Sequence, residues 1–289
     1  MKTFSLILVL AALAVAPAPA QLLTVKLSLE QDQFLPSESL PVTVRIYNNS
    51  GQTLRLGTDE NWLQFSVQSR DNNFVVLNRS NPPVVGAFTL GTSEVAIKRV
   101  DIAPYFTLDH PGRYRLVATV HIPEWHMDVA SAPMDFDVID GARLWSQAFG
   151  VPATGSTNRP PEVRKYILEE ANYLRAQLRL YVLVSDASEA RIFKVTAIGP
   201  MVSFSQPEAQ LDAESRLHVL YQSGAQSFIY AIVSPDGTLT RKEVYDYVTT
   251  RPRLSMDEQG HIGVAGGVRR VKPSELPVVR TPDQLPAAK

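Results

Sequence analysis

The chain has 289 residues, with 28 Lys and Arg against 29 Asp and Glu, a formal net charge of −1 and no cysteine. That mixed, near-neutral balance lacks the basic footprint of a nucleic-acid partner and gives no reason to expect an anionic membrane surface as partner. The missing thiols exclude disulfides and thiolate-bound metal, while 45% hydrophobic residues can supply cores for two domains of ordinary size.

The first stretch, MKTFSLILVLAALAVAPAPA, carries Lys2, an apolar run from Phe4 to Val15 and the small-x-small signal Ala18-Pro19-Ala20. It predicts a secretory signal peptide over residues 1–20, cut before Gln21. The run is shorter than the ~20 apolar residues of a bilayer span, and no cysteine stands at the cut for lipid attachment. The expectation is a periplasmic or secreted protein, exported by a Sec-type signal, not a lipoprotein and not inserted in the membrane after cleavage.

Residues 21–140 read as strands. In LLTVKLSLE, Leu23, Val25, Leu27 and Leu29 alternate with Lys26, Ser28 and Glu30, and PVTVRIYN repeats the pattern with Val42, Val44 and Ile46. Period-two alternation marks half-buried strands, and Asn49 to Gly51 supply turn residues that tolerate positive φ. TLRL, WLQFSVQS, FVVLN, EVAIKRVDI, YRLVATVHI and PMDFDVI follow at short spacing. Short strands with turns every 8–12 residues or so predict an antiparallel sandwich.

Within this part, LDHPGRYRL places Asp109, Gly112 and Tyr114 in a D-x-x-G-x-Y arrangement before an alternating strand. It resembles the tyrosine corner of immunoglobulin-like (Ig-like) domains. The resemblance implies that the Tyr114 hydroxyl bonds backbone upstream, near Asp109, and pins the connection. The layout from Tyr47 to Leu116 is also similar to the proteinase-inhibitor-like Ig domains of bacteria.

Between residues 141 and 162, Gly150, Pro152, Gly155, Ser156 and the Pro160-Pro161 pair predict a linker. Over 163–178, the apolar positions Val163, Tyr166, Ile167, Ala171, Leu174 and Leu178 fall at helical spacing, and Pro161 suits a first turn. That favours a helix, with RKYILEE as a first strand the alternative.

The rest, to residue 272, reads as a β-repeat. PEAQLDAESRLHVLYQ from Pro207 and PRLSMDEQGHIGVAGG from Pro252 align at an offset of 45, matching Asp212 with Asp257, Leu217 with Ile262 and Val219 with Val264. RLYVLVSD from Arg179 aligns with RLHVLYQS from Arg216 at an offset of 37, and Phe193 and Val195 then answer Tyr230 and Ile232. The units resemble β-propeller blades, the sialidase-type repeat especially, over residues 163–272, and their spacing suits that architecture. Closure takes about 4–8 blades, so this incomplete set predicts an edge covered by segment 163–178, by the first domain or by another chain. Residues 273–289, with four prolines, are expected to be a flexible tail.

Chemistry-bearing residues are few. His121, Glu124, His126 and Asp128 lie close together, but Pro123 forbids the helix of a zincin site, and on a strand His121 and His126 face apart. No metal is expected, and no cofactor. Gly263 to Arg270 is glycine-rich without the Lys-Ser/Thr of a phosphate loop and reads as a packed strand. Arg251, Arg253 and Arg269, with His218 and Tyr221, are the candidate ligand-binding residues, a set suited to a carboxylate or sugar acid. Trp62, Trp125 and Trp145 are expected in packing positions. With no nucleophile beside a base, the chain is expected to be a mainly β, exported, non-catalytic binding or assembly module with a protein or glycan partner, and a possible homo-oligomer. The alternatives are a glycan-binding or glycan-processing protein using the repeats, and a proteinase inhibitor using the first domain.

Overall fold

A computed structural model describes residues 22–71, 74–76, 78–84, 86–151, 162–174 and 176–271. The expected signal peptide, positions 152–161 of the expected linker and the 273–289 tail lie outside the described residues. The protein is mainly β, in several sheets, and none of them closes into a barrel.

In the N-terminal half the strands are β1 (Leu23–Leu29), β2 (Gln33–Phe34), β3 (Pro41–Asn48), β4 (Leu54–Leu56), β5 (Leu63–Ser69), β6 (Phe88–Leu90), β7 (Val95–Asp101), β8 (Gly112–Ile122), β9 (Met127–Ala130) and β10 (Met134–Val138). One sheet runs β1-β3-β7; another runs β2-β10-β8-β5, with β9 folding back on β8. The β2–β10 pair is parallel and its neighbours are antiparallel. The inward side chains of both sheets form one core, including Val42, Val44 and Ile46 from β3 and Leu116, Ala118 and Val120 from β8. Alternation of this kind is what one buried face and one wet face impose on a strand.

The C-terminal half is a stack of layers. The first holds β11 (Ala142–Gly150), β12 (Val163–Leu174), β13 (Gln177–Asp186) and β14 (Ile192–Met201), paired in that order. The second holds β15 (Glu208–Leu211), β16 (Leu217–Gln222), β17 (Ser227–Val233) and β18 (Leu239–Asp246), again in chain order. A hairpin of β19 (Arg253–Met256) and β20 (Ile262–Ala265) follows, and β21 (Val268–Arg269) returns to the free edge of β18.

Three interfaces hold the stack. Ile167, Tyr181 and Val195 of the first layer pack on Leu35 and Ile139 of the N-terminal half. Its opposite face, with Tyr166, Leu168, Val182 and Ile198, packs on Leu217, Val219, Tyr221 and Ala231 of the second. The far face of the second layer, Leu220, Phe228, Tyr230 and Ile232, meets Leu254 and Val264 of the hairpin. The side of the first layer that faces the N-terminal half is therefore covered by that half of the chain.

Two segments differ from expectation. Residues 163–174 are a twelve-residue strand, not a helix. Tyr166 and Leu168 enter one interface and Ile167 and Ala171 the other, so the strand is apolar on both faces and its period of two is blurred. Residues 142–150, expected within the linker, form β11, which pairs with β12 from Ala142↔Glu170 to Gly150↔Val163. As an edge strand, mostly exposed or half-exposed, it carries little alternation to read.

The 45-residue offset is carried in the hydrogen-bond register. Gln210↔His218 and Leu211↔Leu217 in one hairpin answer Ser255↔Gly263 and Met256↔Ile262 in the other. The 37-residue offset is not. It would pair Leu220 with Ile232, whereas Leu220 pairs with Tyr230. It also equates β13, third in its layer, with β16, second in its own. Leucine-valine runs in central strands look alike whatever their place in a sheet.

Candidate functional site

The turn between β15 and β16 starts at Asp212. Its Oδ1 accepts from the amides of Glu214 (3.1 Å) and Arg216 (2.8 Å), and Ser215, three residues on, is left-handed with φ of 60°. The turn between β19 and β20 repeats this at Asp257, whose Oδ1 accepts from Gln259 (3.0 Å) and His261 (2.8 Å), with Gly260 at φ of 83°. A short carboxylate that bonds its own backbone two residues on is what makes aspartate a turn former.

The first turn also carries a buried polar chain. Asp212 Oδ2 accepts from His218 Nε2 (2.9 Å) and from Arg216 Nε (2.6 Å). His218 Nδ1 lies 2.7 Å from the Tyr230 hydroxyl, which is 3.3 Å from the Ile262 carbonyl. Both the His218 and Asp212 side chains are almost wholly buried. The carboxylate sets the tautomer: Nε2 carries the proton it donates, and in the neutral ring Nδ1 accepts from Tyr230. In the protonated ring Nδ1 donates instead, and the Tyr230 proton turns to the Ile262 carbonyl.

Electrostatics follow from this geometry. Burial works against the Asp212 carboxylate, but hydrogen bonds from His218 and from the Arg216 amide and guanidinium outweigh it and hold the pKa below the ordinary value. Burial pushes the Tyr230 phenol up to about 12, with Arg241 opposing and Tyr245 and Glu243 adding to the rise. A cavity of about 270 Å³ opens beside this chain, lined among others by Arg216, His218, Tyr230, Arg241 and His261. Asp212 and Glu214 line it too, and Arg216 and Arg241 are each paired with a carboxylate, so the arrangement offers hydrogen-bond donors to a polar ligand rather than free positive charge.

The other candidate residues lie elsewhere. Tyr221 points to the opposite face of β16, into the interlayer core, and its hydroxyl has no hydrogen-bond partner among the described residues. Arg251 lies over the Phe228 ring, 5.3 Å from its centroid. Arg253 opens β19, and Arg269, on β21, reaches Glu243 Oε1 at 3.4 Å. The strand directions put these arginines at the end of the stack opposite the Asp212 turn. The set of Arg251, Arg253, Arg269, His218 and Tyr221 is thus not gathered into one site, because neighbours along a strand face apart and hairpin ends alternate.

Asp212 and Tyr230 are the partners that sequence reading missed. Asp212 stands at a repeated turn six residues before His218, which is a readable signal; Tyr230 depends on the β16–β17 register and is not. In the corner, the Tyr114 hydroxyl donates to the His110 carbonyl at 2.8 Å and its ring stacks on Phe136. Gly112 lies against that ring, and Asp109 is 3.8 Å from the His110 imidazole. His121 Nδ1 is 2.6 Å from Asp128, across the β8–β9 hairpin, while His126 ends the intervening turn. Among the described residues no group of three potential metal ligands converges, and no helix is long and apolar enough to cross a membrane.

No protein-family model matches the chain, and no curated protein matches it. Among solved structures, it is similar to Spo0M, a sporulation control protein from Bacillus subtilis, at 13% identity and a TM-score of 0.33, over 70% of this chain and 80% of that one. A likeness that slight assigns neither fold nor function.

Proposed function

We propose that this chain is a non-catalytic binding or assembly module of an exported protein, an Ig-like sandwich followed by stacked propeller-type blades. Support for the first part is the β1-β3-β7 sheet set against β2-β10-β8-β5, with β2 parallel to β10 and a tyrosine hydroxyl bonded to backbone four residues upstream. Support for the second is the pair of layers in which four consecutive strands pair in chain order.

The observation that carries the functional reading is the last layer, which has two strands among the described residues. Where the preceding layers have four strands in sequence, this one has β19 and β20 among the described residues, and among these one edge of β20 is unpaired. Beyond the reach of the hairpin, side chains cover the second layer in place of strands: Arg251 lies over Phe228, and Arg241 and Arg269 both reach Glu243. An open edge is a template for another strand. The test is hydrogen exchange at the Ile262–Ala265 amides over a series of protein concentrations, alone and with the proteins encoded beside this one. Protection that rises with concentration or with a partner supports assembly through this edge. Unchanged exchange throughout removes it.

A second reading is favoured by the His218 cavity, whose Arg241, half-exposed beside its Glu243 partner, can donate to a glycan hydroxyl. A glycan array probed with wild type and with Arg241→Ala decides it, and binding that the variant retains excludes the cavity.

A further inference from the structure

The loop from β14 to β15 turns at Val202–Ser205, where the Ser205 amide bonds the Val202 carbonyl at 3.3 Å. Its third residue, Phe204, has φ of 60° and is 99% exposed. Left-handed backbone at such a position suits glycine or asparagine, and on a bulky aromatic it is strained. Neither that strain nor the exposed ring gains anything within the fold. Other turn residues of the chain share this backbone, Ser215 among them, but only here among the described residues does it hold a large aromatic ring wholly in solvent.

The neighbouring β18–β19 loop is at the same end of the stack. The Glu208 carboxylate accepts from the Leu254 amide at 2.7 Å, tying the strand after the first loop to the strand after the second. This loop presents Val248, 69% exposed, and Tyr247, with Val268 beside them, because Val268 pairs with Asp246. Arg251 and Arg253 flank these groups, and neither has a carboxylate within ion-pair distance among the described residues. The nearby Asp246 is taken by Arg270.

We propose that this end of the stack is a docking face for an anionic bilayer surface. Phe204 and Val248 enter the interfacial zone, and Arg251 and Arg253 meet lipid phosphates. The apolar groups stand on loop tips, so a rigid protein partner would need a matching pocket for each, whereas a lipid interface accepts any protruding shape. Arg251, which also lies over Phe228, and Arg253 complement the negative surface potential of anionic lipid, and the carboxylate beside them, Glu208, is turned to the Leu254 amide. The chain as a whole carries a net charge of −1, so the attraction is local, and it is screened within a Debye length. This surface adjoins the end of β20, where Arg253 pairs with Ala265, but it uses side chains and loop tips rather than the open backbone edge of that strand.

The test uses the chain from Gln21 onward, since the first twenty residues are apolar enough to bind lipid themselves. Sedimentation with phosphatidylcholine vesicles is compared with vesicles that are one third phosphatidylglycerol. The expected result is binding to the anionic vesicles that weakens with salt. Phe204→Ser should lower it roughly tenfold, and Arg251→Glu with Arg253→Glu about fivefold or more for each charge. Phe204→Gly should lower binding and raise the thermal midpoint, which separates lost docking from lost folding. Wild type that stays in the supernatant with both vesicles overturns the proposal and leaves these tips to a protein partner. Binding that is equal on neutral vesicles, or that survives Phe204→Ser, overturns it as well.

Discussion

His218 and Asp212 face each other across the β15–β16 hairpin, with Nε2 2.9 Å from Oδ2 and both side chains withdrawn from water. The pair ties the turn to the strand that follows it, and through Tyr230 to β17.

Asp212→Ala should cost roughly 1–3 kcal/mol, since it leaves a buried imidazole donor without an acceptor. The carboxylate has a depressed pKa in the folded protein, so its contribution is present above the ordinary Asp value of 3.8 and is lost as pH falls through the lower folded value. Urea midpoints of wild type and variant should therefore differ at neutral pH and converge in that acid window. A constant gap down to the lowest pH would show that the carboxylate charge is not what matters.

Glu38 should behave with the opposite sign. It sits at the junction of the two halves, accepting from Gln31 Nε2 (2.9 Å) and the Leu35 amide (2.8 Å), while Arg179 of β13 bonds Gln31 at 2.6 Å. Burial raises its pKa above the ordinary 4.5 despite those hydrogen bonds. The folded state is thus penalised above the raised value, and the penalty is relieved as pH falls from it toward 4.5. Across that window the urea midpoint of wild type should gain on that of Glu38→Gln as pH falls, and a gap that stays constant would show that the Glu38 charge is not what matters.

Ser215 and Gly260 occupy the same place in equivalent turns, both left-handed. Ser215→Gly should stabilise by up to about 1 kcal/mol, and Gly260→Ala should destabilise by about 1–2 kcal/mol. A Cβ at Gly260 meets nothing within 4 Å, so its cost isolates backbone conformation from crowding. Equal thermal midpoints for the two variants would refute the equivalence.

Tyr114→Phe keeps the stacking on Phe136 but removes the donor to the His110 carbonyl. The expected loss is roughly 1–3 kcal/mol, read as a lower denaturant midpoint with an unchanged slope. An unchanged midpoint would make the corner ornamental to stability.

Some of this was legible in the residues alone. Val42, Val44 and Ile46 announce β3, because a strand with one wet face must alternate. Asp212 and Asp257 announce equivalent turns, since aspartate and a left-handed residue three positions on are local chemistry. The 45-residue spacing marked the two hairpins as equivalent in register, but not in burial: Leu217 and Val219 are fully buried between layers, whereas Val264 is half-buried and Met256 is exposed.

Tertiary structure alone decided the rest. Strand β12 reads as a helix because it is buried on both faces, and β11 reads as linker because it is an edge. Arg251, Arg253, Arg269, His218 and Tyr221 look like one site in sequence, yet they divide between two ends of the stack and two faces of β16. Which face a side chain occupies follows from parity along its own strand, but which residues it meets there depends on how neighbouring layers pack. That packing is set by the burial of many apolar groups at once, and no single stretch of chain encodes it.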